Sequence, residues 1–120
     1  MKKILVIEDE AIILLNTLNL LRNNGFNVIS ATDGHVGVQM AKEFLPDLIL
    51  CNDKLPKLKG YEVFKELRNN PATATIPFIF VTAQGTATEI ERLQQLGAEK
   101  YFYKPYISEE LLQAITEILS

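Results

Sequence analysis

Six residues carry side chains that could do chemistry and also fall at the ends of short apolar runs: Glu8, Asp9, Asn52, Asp53, Thr82 and Lys104. Two adjacent carboxylates cost free energy unless a cation sits between them. Glu8 and Asp9 with an oxygen from residue 52 would make a hard, oxygen-only site. Such a site suits magnesium, which keeps several waters and takes few carboxylates together with phosphate oxygens. A lysine beside it balances phosphate charge as a point cation, and a hydroxyl such as that of Thr82 hydrogen-bonds a phosphate oxygen. With an aspartate at the centre, the set would make and break an aspartyl phosphate, a reaction in which catalysis is mostly positioning and charge neutralisation. Singly, each residue has a plainer reading. An acidic pair at a strand end is usually a solvated loop, a Thr after an apolar run is usually a cap or turn residue, and a Lys before Pro is usually a loop lysine. The weight lies in all of them falling at successive strand exits.

The elements that must position them alternate regularly. I-L-V-I at 4–7 reads as a buried strand ending in acids. A helical pattern runs from Glu10 to about Asn24, with Leu14, Leu18 and Leu21 on one face and Gly25 as its stop. Asn27 to Ser30 is a shorter, more polar strand, as expected near a sheet edge. Asp33-Gly34 is turn chemistry. A second helix spans 35–44, with Gly37, Met40, Ala41 and Phe44 aligned, and Pro46 closes it. Leu48 to Cys51 is the third strand, and the helix after the 53–59 loop covers about Gly60 to Asn69, with Val63, Phe64 and Leu67 inward. F-I-F-V after Pro77 is the fourth strand, ending at Thr82. Gly85 and Thr86 start a helix to Leu96, stopped by Gly97. Lys100 to Tyr103 is the fifth strand. The last helix, about Ser108 to Leu119, opens with S-E-E, a cap followed by acids that suit the positive helix end. Five strands alternating with five helices imply a parallel sheet covered on both faces. Ligands of such folds bind where loops leave the carboxyl ends of the strands. The exits deliver Glu8 and Asp9, then Asn52 and Asp53, then Thr82, then Lys104.

At 120 residues the chain is read as one domain, 1–120. Its 48% apolar and 22% charged content is ordinary for a globular protein. A net charge of -3 argues against nucleic-acid binding by this domain, which needs a clustered basic surface. The lone cysteine, Cys51, makes no internal disulfide and fits a reducing cytoplasm. The apolar stretch after Lys2 and Lys3 meets acids too early for an export signal, and no run approaches membrane-spanning length. His35 follows the Asp33-Gly34 turn and is expected as an exposed helix-start residue. Cys51 is expected as a small buried apolar side chain. Gly85 lacks the glycine-rich context of a nucleotide loop.

The stretches I-L-V-I-E-D-E, P-D-L-I-L-x-x-x-x-x-P-x-x-x-G-Y-E, P-F-I-F-V-T-A and G-A-x-x-Y-x-x-K-P resemble the receiver domain of two-component response regulators, from Lys2 to Leu119. The resemblance implies a flavodoxin-like (βα)5 α/β fold, a doubly wound parallel sheet in the order 2-1-3-4-5. It implies magnesium on Glu8 and Asp9, with Asp9 the more direct ligand, a backbone carbonyl at Lys54, and a contribution from residue 52. It makes Thr82 the switch hydroxyl, Lys104 the phosphate-pairing lysine, and Tyr101 the aromatic that swings inward when Thr82 engages a phosphoryl group. It also implies a cis peptide bond before Pro105. Its partners are a histidine kinase or phosphotransfer protein, a downstream output protein, or a second copy through the strand-four and strand-five side. The resemblance implies a signalling module rather than an enzyme.

One position departs. The family places its phosphoacceptor aspartate four residues before the loop proline, and counting back from Pro56 reaches Asn52. An amide lone pair is delocalised and forms no acyl phosphate. Its neutral oxygen should also weaken magnesium binding by about 1–3 kcal/mol, roughly tenfold to a few hundredfold, and leave Lys104 without its anionic partner. Asp53, one place on, points to the opposite face if the strand stays regular, unless a bulge returns it. The bland place for its carboxylate is solvent or a pairing with Lys54 or Lys57. Three explanations fit: a naturally degenerate receiver that signals without phosphate, an aspartate changed to Asn52 by design, or chemistry moved to Asp53. The departures at Asp53 and Lys54 favour the first. Two other classes use similar elements. An aspartyl-phosphate phosphohydrolase would use Asp9 as nucleophile and carry an additional cap segment. A flavin domain would need a hydroxyl-rich loop where E-D-E stands, and acids there repel phosphate.

Overall fold

β-branched and aromatic runs dictate the strands, and in the computed structural model they pair into one sheet. The structure describes residues 1–82, 91, 94–95, 97–98, 100–104 and 106–120. The strands are β1 (Lys3–Ile7), β2 (Asn27–Ala31), β3 (Leu48–Asn52), β4 (Phe78–Thr82) and β5 (Lys100–Tyr103). All neighbours are parallel, in the order β2-β1-β3-β4-β5, the doubly wound order that the resemblance implied. The helices described are α1 (Ala11–Asn23), α2 (Gly34–Phe44), α3 (Gly60–Arg68) and α4 (Ser108–Leu119). Of the expected helix from Gly85 to Leu96 only residues 91 and 94–95 are described, and these are helical; the rest of it and the peptide bond into Pro105 lie outside the described residues.

Strand side chains alternate between faces, and the sheet separates two cores accordingly. Leu5, Ile7, Ile49, Cys51, Phe78 and Phe80 pack against Val38 and Ala41 of α2 and Val63, Phe64 and Leu67 of α3. Ile4, Val6, Leu48, Leu50, Ile79 and Val81 pack against Leu18 and Leu21 of α1 and Leu111 and Ile115 of α4. The first core is aromatic: Phe64 meets Phe78 edge-on with ring centroids 5.1 Å apart, and Tyr101 stacks on Phe80 at 6.2 Å. The second is almost wholly aliphatic. Truncating one such buried side chain to alanine typically costs about 2–5 kcal/mol, so both layers are needed to hold the sheet between them.

Local chemistry sets the ends. Gly25 ends the α1 segment at φ 87°, a left-handed value that favours glycine. Asp33 caps α2 by accepting the Val36 N–H at 2.9 Å, so Gly34 is the first helical residue rather than part of a free turn. Glycine is needed there, because a Cβ would collide with the Leu58 backbone. Two further expectations are corrected. Phe44 does not join the inward face of α2; it is 42% exposed, at the helix end, with the Lys3 ammonium 5.7 Å above its ring. Ser108 does not cap α4. Ile107 holds the cap position in extended backbone and its carbonyl accepts the Leu111 N–H at 3.1 Å, while Ser108 is already helical. Glu109 and Glu110 do lie in the first turn, where the helix end is positive.

Candidate functional site

Strand register decides which residues meet. Ile7 is level with Cys51, Asn52 with Val81, and Thr82 with Tyr103, so the carboxyl ends of β1, β3, β4 and β5 finish along one line. Alternation then sorts the exits by face. Continuing the phase of Val6, Leu50 and Phe102 puts Glu8, Asn52 and Lys104 on the α1/α4 side. Continuing that of Cys51 puts Asp53 on the opposite side, with the α2/α3 core.

The contacts follow that sorting. The Asn52 Nδ2 donates to Glu8 Oε2 at 3.0 Å, to Asp9 Oδ1 at 3.2 Å and to the Lys54 carbonyl at 3.2 Å. Three oxygens around one amide group fix which of its atoms faces them, because the reverse orientation would set oxygen against oxygen. The Lys104 Nζ donates to Glu8 Oε1 at 2.8 Å. Glu8 also accepts the Glu10 N–H at 3.2 Å, so both carboxylate oxygens are engaged. Glu8 and Asn52 are buried and Asp9 is exposed. A buried charge without a partner would cost several kcal/mol, and here it is both paired and hydrogen-bonded. Lys104 is thus not left without an anion: Glu8 takes that place.

The backbone is fixed as tightly. The Gly60 N–H donates to the Asp53 carbonyl at 2.9 Å, and a Cβ on Gly60 would lie 2.5 Å from the Asn52 carbonyl oxygen. Only glycine lets the start of α3 come this close. Thr82 is buried, and its carbonyl accepts the Lys104 N–H at 2.8 Å. Tyr101 is half-buried against Phe80. Asp53 is half-buried, and its charge, behind burial and ahead of Glu8, helps push the Cys51 thiol well above its ordinary pKa. Cys51 is a buried neutral thiol and His35 is exposed, as expected. Lys57 pairs with Asp33 at 3.8 Å.

Two residues beneath the site were not singled out from the sequence. A small hollow behind Asn52 is walled in part by Ile13, Thr17, Leu50 and Tyr106. The Thr17 hydroxyl donates to the Ile13 carbonyl at 2.8 Å and lies 2.8 Å from the Tyr106 hydroxyl, which then donates to it. This pair ties α1 to the segment entering α4. A threonine inside an otherwise apolar helix face was the available signal; its partner, far along the chain, had none.

The donor chemistry of Glu8, Asp9 and the Lys54 carbonyl fits a hard divalent cation. The fourth group does not fit as it stands, because Asn52 presents N–H donors to that point. Among the described residues no three His, Cys, Asp or Glu side chains cluster as ligands.

Residues 4–116 match the response regulator receiver domain family. The chain is 35% identical over 118 residues to the phosphate regulon transcriptional regulatory protein PhoB of Escherichia coli, covering 98% of this chain and 52% of that protein, so it spans about half of that relative's length. It is 30% identical over 120 residues to protein PilH of Pseudomonas aeruginosa, covering 100% of this chain and 99% of PilH. It is also similar to the receiver domain of the sensor histidine kinase PA1611 from Pseudomonas aeruginosa, at 29% identity and a TM-score of 0.91, covering 98% of this chain and 97% of that one. That structure has a magnesium ion coordinated in its active-site cleft. Among the described residues no helix is long and apolar enough to cross a membrane.

Proposed function

The chain belongs to the response regulator receiver domain family, and on that premise we propose that it is a receiver whose output does not depend on an aspartyl phosphate. The observation that carries this reading is residue 52. It stands four places before Pro56, on the strand exit beside Glu8 and Asp9, and it is an amide hydrogen-bonded to both. Attack on phosphorus in this chemistry needs an anionic carboxylate oxygen, and turnover needs the acyl phosphate that it forms, which water can later cleave. The Asn52 carboxamide supplies neither. Its N–H groups also face the position a phosphoryl oxygen or cation would approach. Held by Glu8, Asp9 and the Lys54 carbonyl, magnesium would supply charge neutralisation for a bound phosphate. Lys104, the cation available to such a phosphate, is engaged by Glu8 at 2.8 Å.

Signalling then rests on the strand-four and strand-five side of the fold. The domain, residues 1–120, acts in the cytoplasm as a protein-binding module without turnover of its own. Its two-state element is the coupling of Thr82 with Tyr101, biased by partner binding rather than by phosphate. Tyr103 on β5 and Ile107 before α4 are exposed and offer apolar contact on that side. The partner is a protein: a histidine kinase or phosphotransfer protein, an output protein, or a second copy of the chain. The net charge of -3 disfavours nucleic acid.

Incubating the protein with a small acyl phosphate and magnesium and weighing it intact tests this. No added phosphate is expected, and the Asn52→Asp variant should gain one phosphate at position 52. An adduct on the unaltered chain that maps to Asp53 would overturn the reading.

A further inference from the structure

We propose that the Asn52 carboxamide is a built-in replacement for a divalent cation, so that the crevice is ordered without magnesium. This rests on the reading of residue 52 given above and adds what the amide does there. Glu8 Oε2, Asp9 Oδ1 and the Lys54 carbonyl oxygen come from the β1 exit, the loop after it and the loop after β3. All three lie within 3.0–3.2 Å of one nitrogen. An ion bridging the same oxygens would tie the same three segments together. The amide carries no formal charge, and the missing positive charge comes from Lys104, whose ammonium meets the other Glu8 oxygen at 2.8 Å.

Two further features keep the amide in place. Glu8 is nearly excluded from water, so its carboxylate has little solvent to turn to if the amide leaves. Gly60 packs against the Asn52 carbonyl and bonds to Asp53, which immobilises the backbone that carries the amide. For magnesium to enter, the carboxamide must turn to present its oxygen and give up the hydrogen bonds that its two N–H groups share among these three oxygens. Free magnesium therefore competes with a tethered group already seated among its ligands. Replacing Asn52 by aspartate removes the tethered donor and sets a third carboxylate against Glu8 and Asp9, which recreates a demand for the cation.

The test is thermal unfolding of the full chain in EDTA and in 10 mM magnesium chloride, with calorimetric titration of magnesium into the unaltered protein. The unaltered chain should melt at the same temperature in both, within about 1 °C, and show no saturable magnesium heat at millimolar concentrations. Asn52→Ala should melt lower in EDTA. Asn52→Asp should melt lower in EDTA and recover by several degrees with magnesium, as expected for a ligand that binds only the folded state. A magnesium-dependent rise in the unaltered chain equal to that of Asn52→Asp, or an Asn52→Ala melt unchanged in EDTA, would overturn the proposal. The titration of the unaltered chain decides the matter even where a variant does not fold. Phosphate uptake at Asp53 with a magnesium-blind melt would sink the functional reading and leave the clamp standing. A magnesium-responsive melt without phosphate uptake would do the reverse.

Discussion

Among the described residues, lysine–carboxylate pairs occur both in the buried crevice and on the surface, and the contrast shows what burial does to a charge. Lys104 and Glu8 meet at 2.8 Å with 12% and 6% of their side chains exposed, in the crevice at the strand ends. Lys42 and Glu66 meet at 3.6 Å with 42% and 49% exposed, between α2 and α3. The chemistry is the same. The first pair has little water to fall back on, and the Glu8 carboxylate shares its remaining capacity between Asn52 and the Glu10 N–H. The second is screened by solvent and counterions at every moment. A third pair, Asp33 with Lys57 at 3.8 Å, lies between them, because Asp33 is also committed to capping α2.

The sharpest way to break this contrast is Lys104→Ala. It leaves Glu8 buried with its charge uncompensated, and a loss of about 3–5 kcal/mol is expected in urea unfolding. That is a large part of the 5–15 kcal/mol typical of a domain, roughly. A cost below about 1 kcal/mol would mean that Asn52 and the Glu10 N–H satisfy Glu8 without the lysine. Asp33→Ala comes next in size. It removes the α2 cap and should lower the melting temperature at neutral pH. The Val36 N–H bond, aided by the Lys57 ammonium against some desolvation, holds the Asp33 carboxyl below its ordinary pKa. Its contribution is therefore complete above the usual aspartate value of about 3.9 and lost as pH falls through the lowered one. The gap between the two melting curves should close over that acid range. Lys42→Ala is the control at the small end: a change within about 0.5 kcal/mol, shrinking further in high salt. If Lys42→Ala and Lys104→Ala cost the same, burial is not what separates the two regions.

How much could be read beforehand varies with the range of the interaction. β3 and its register were legible because P-D-L-I-L is apolar, bounded by a proline and followed by polar residues, all within one segment. The alternation that separates Asn52 from Asp53 was legible for the same reason, and the hydrogen bonds of Asn52 to Glu8 and Asp9 accord with it. Ser108 misled because a serine before two glutamates looks like a cap, whereas backbone geometry starts the helix one residue earlier. Phe44 misled because helical phase says nothing about how far the covering sheet extends beyond the last turn. The close approach of Gly34 to Leu58 was not legible, since it depends on two loops meeting.

The chain by itself determined five strands, their alternation with helices, and the identity of the groups at each exit, because strand and helix periodicity are local properties of the backbone. Only the tertiary structure decided that Lys104 neutralises Glu8, that the Asn52 nitrogen rather than its oxygen faces the acids, and that the Thr17 and Tyr106 hydroxyls meet behind them. Those are choices among partners up to 96 residues apart, settled by which polar groups are shut away from water together.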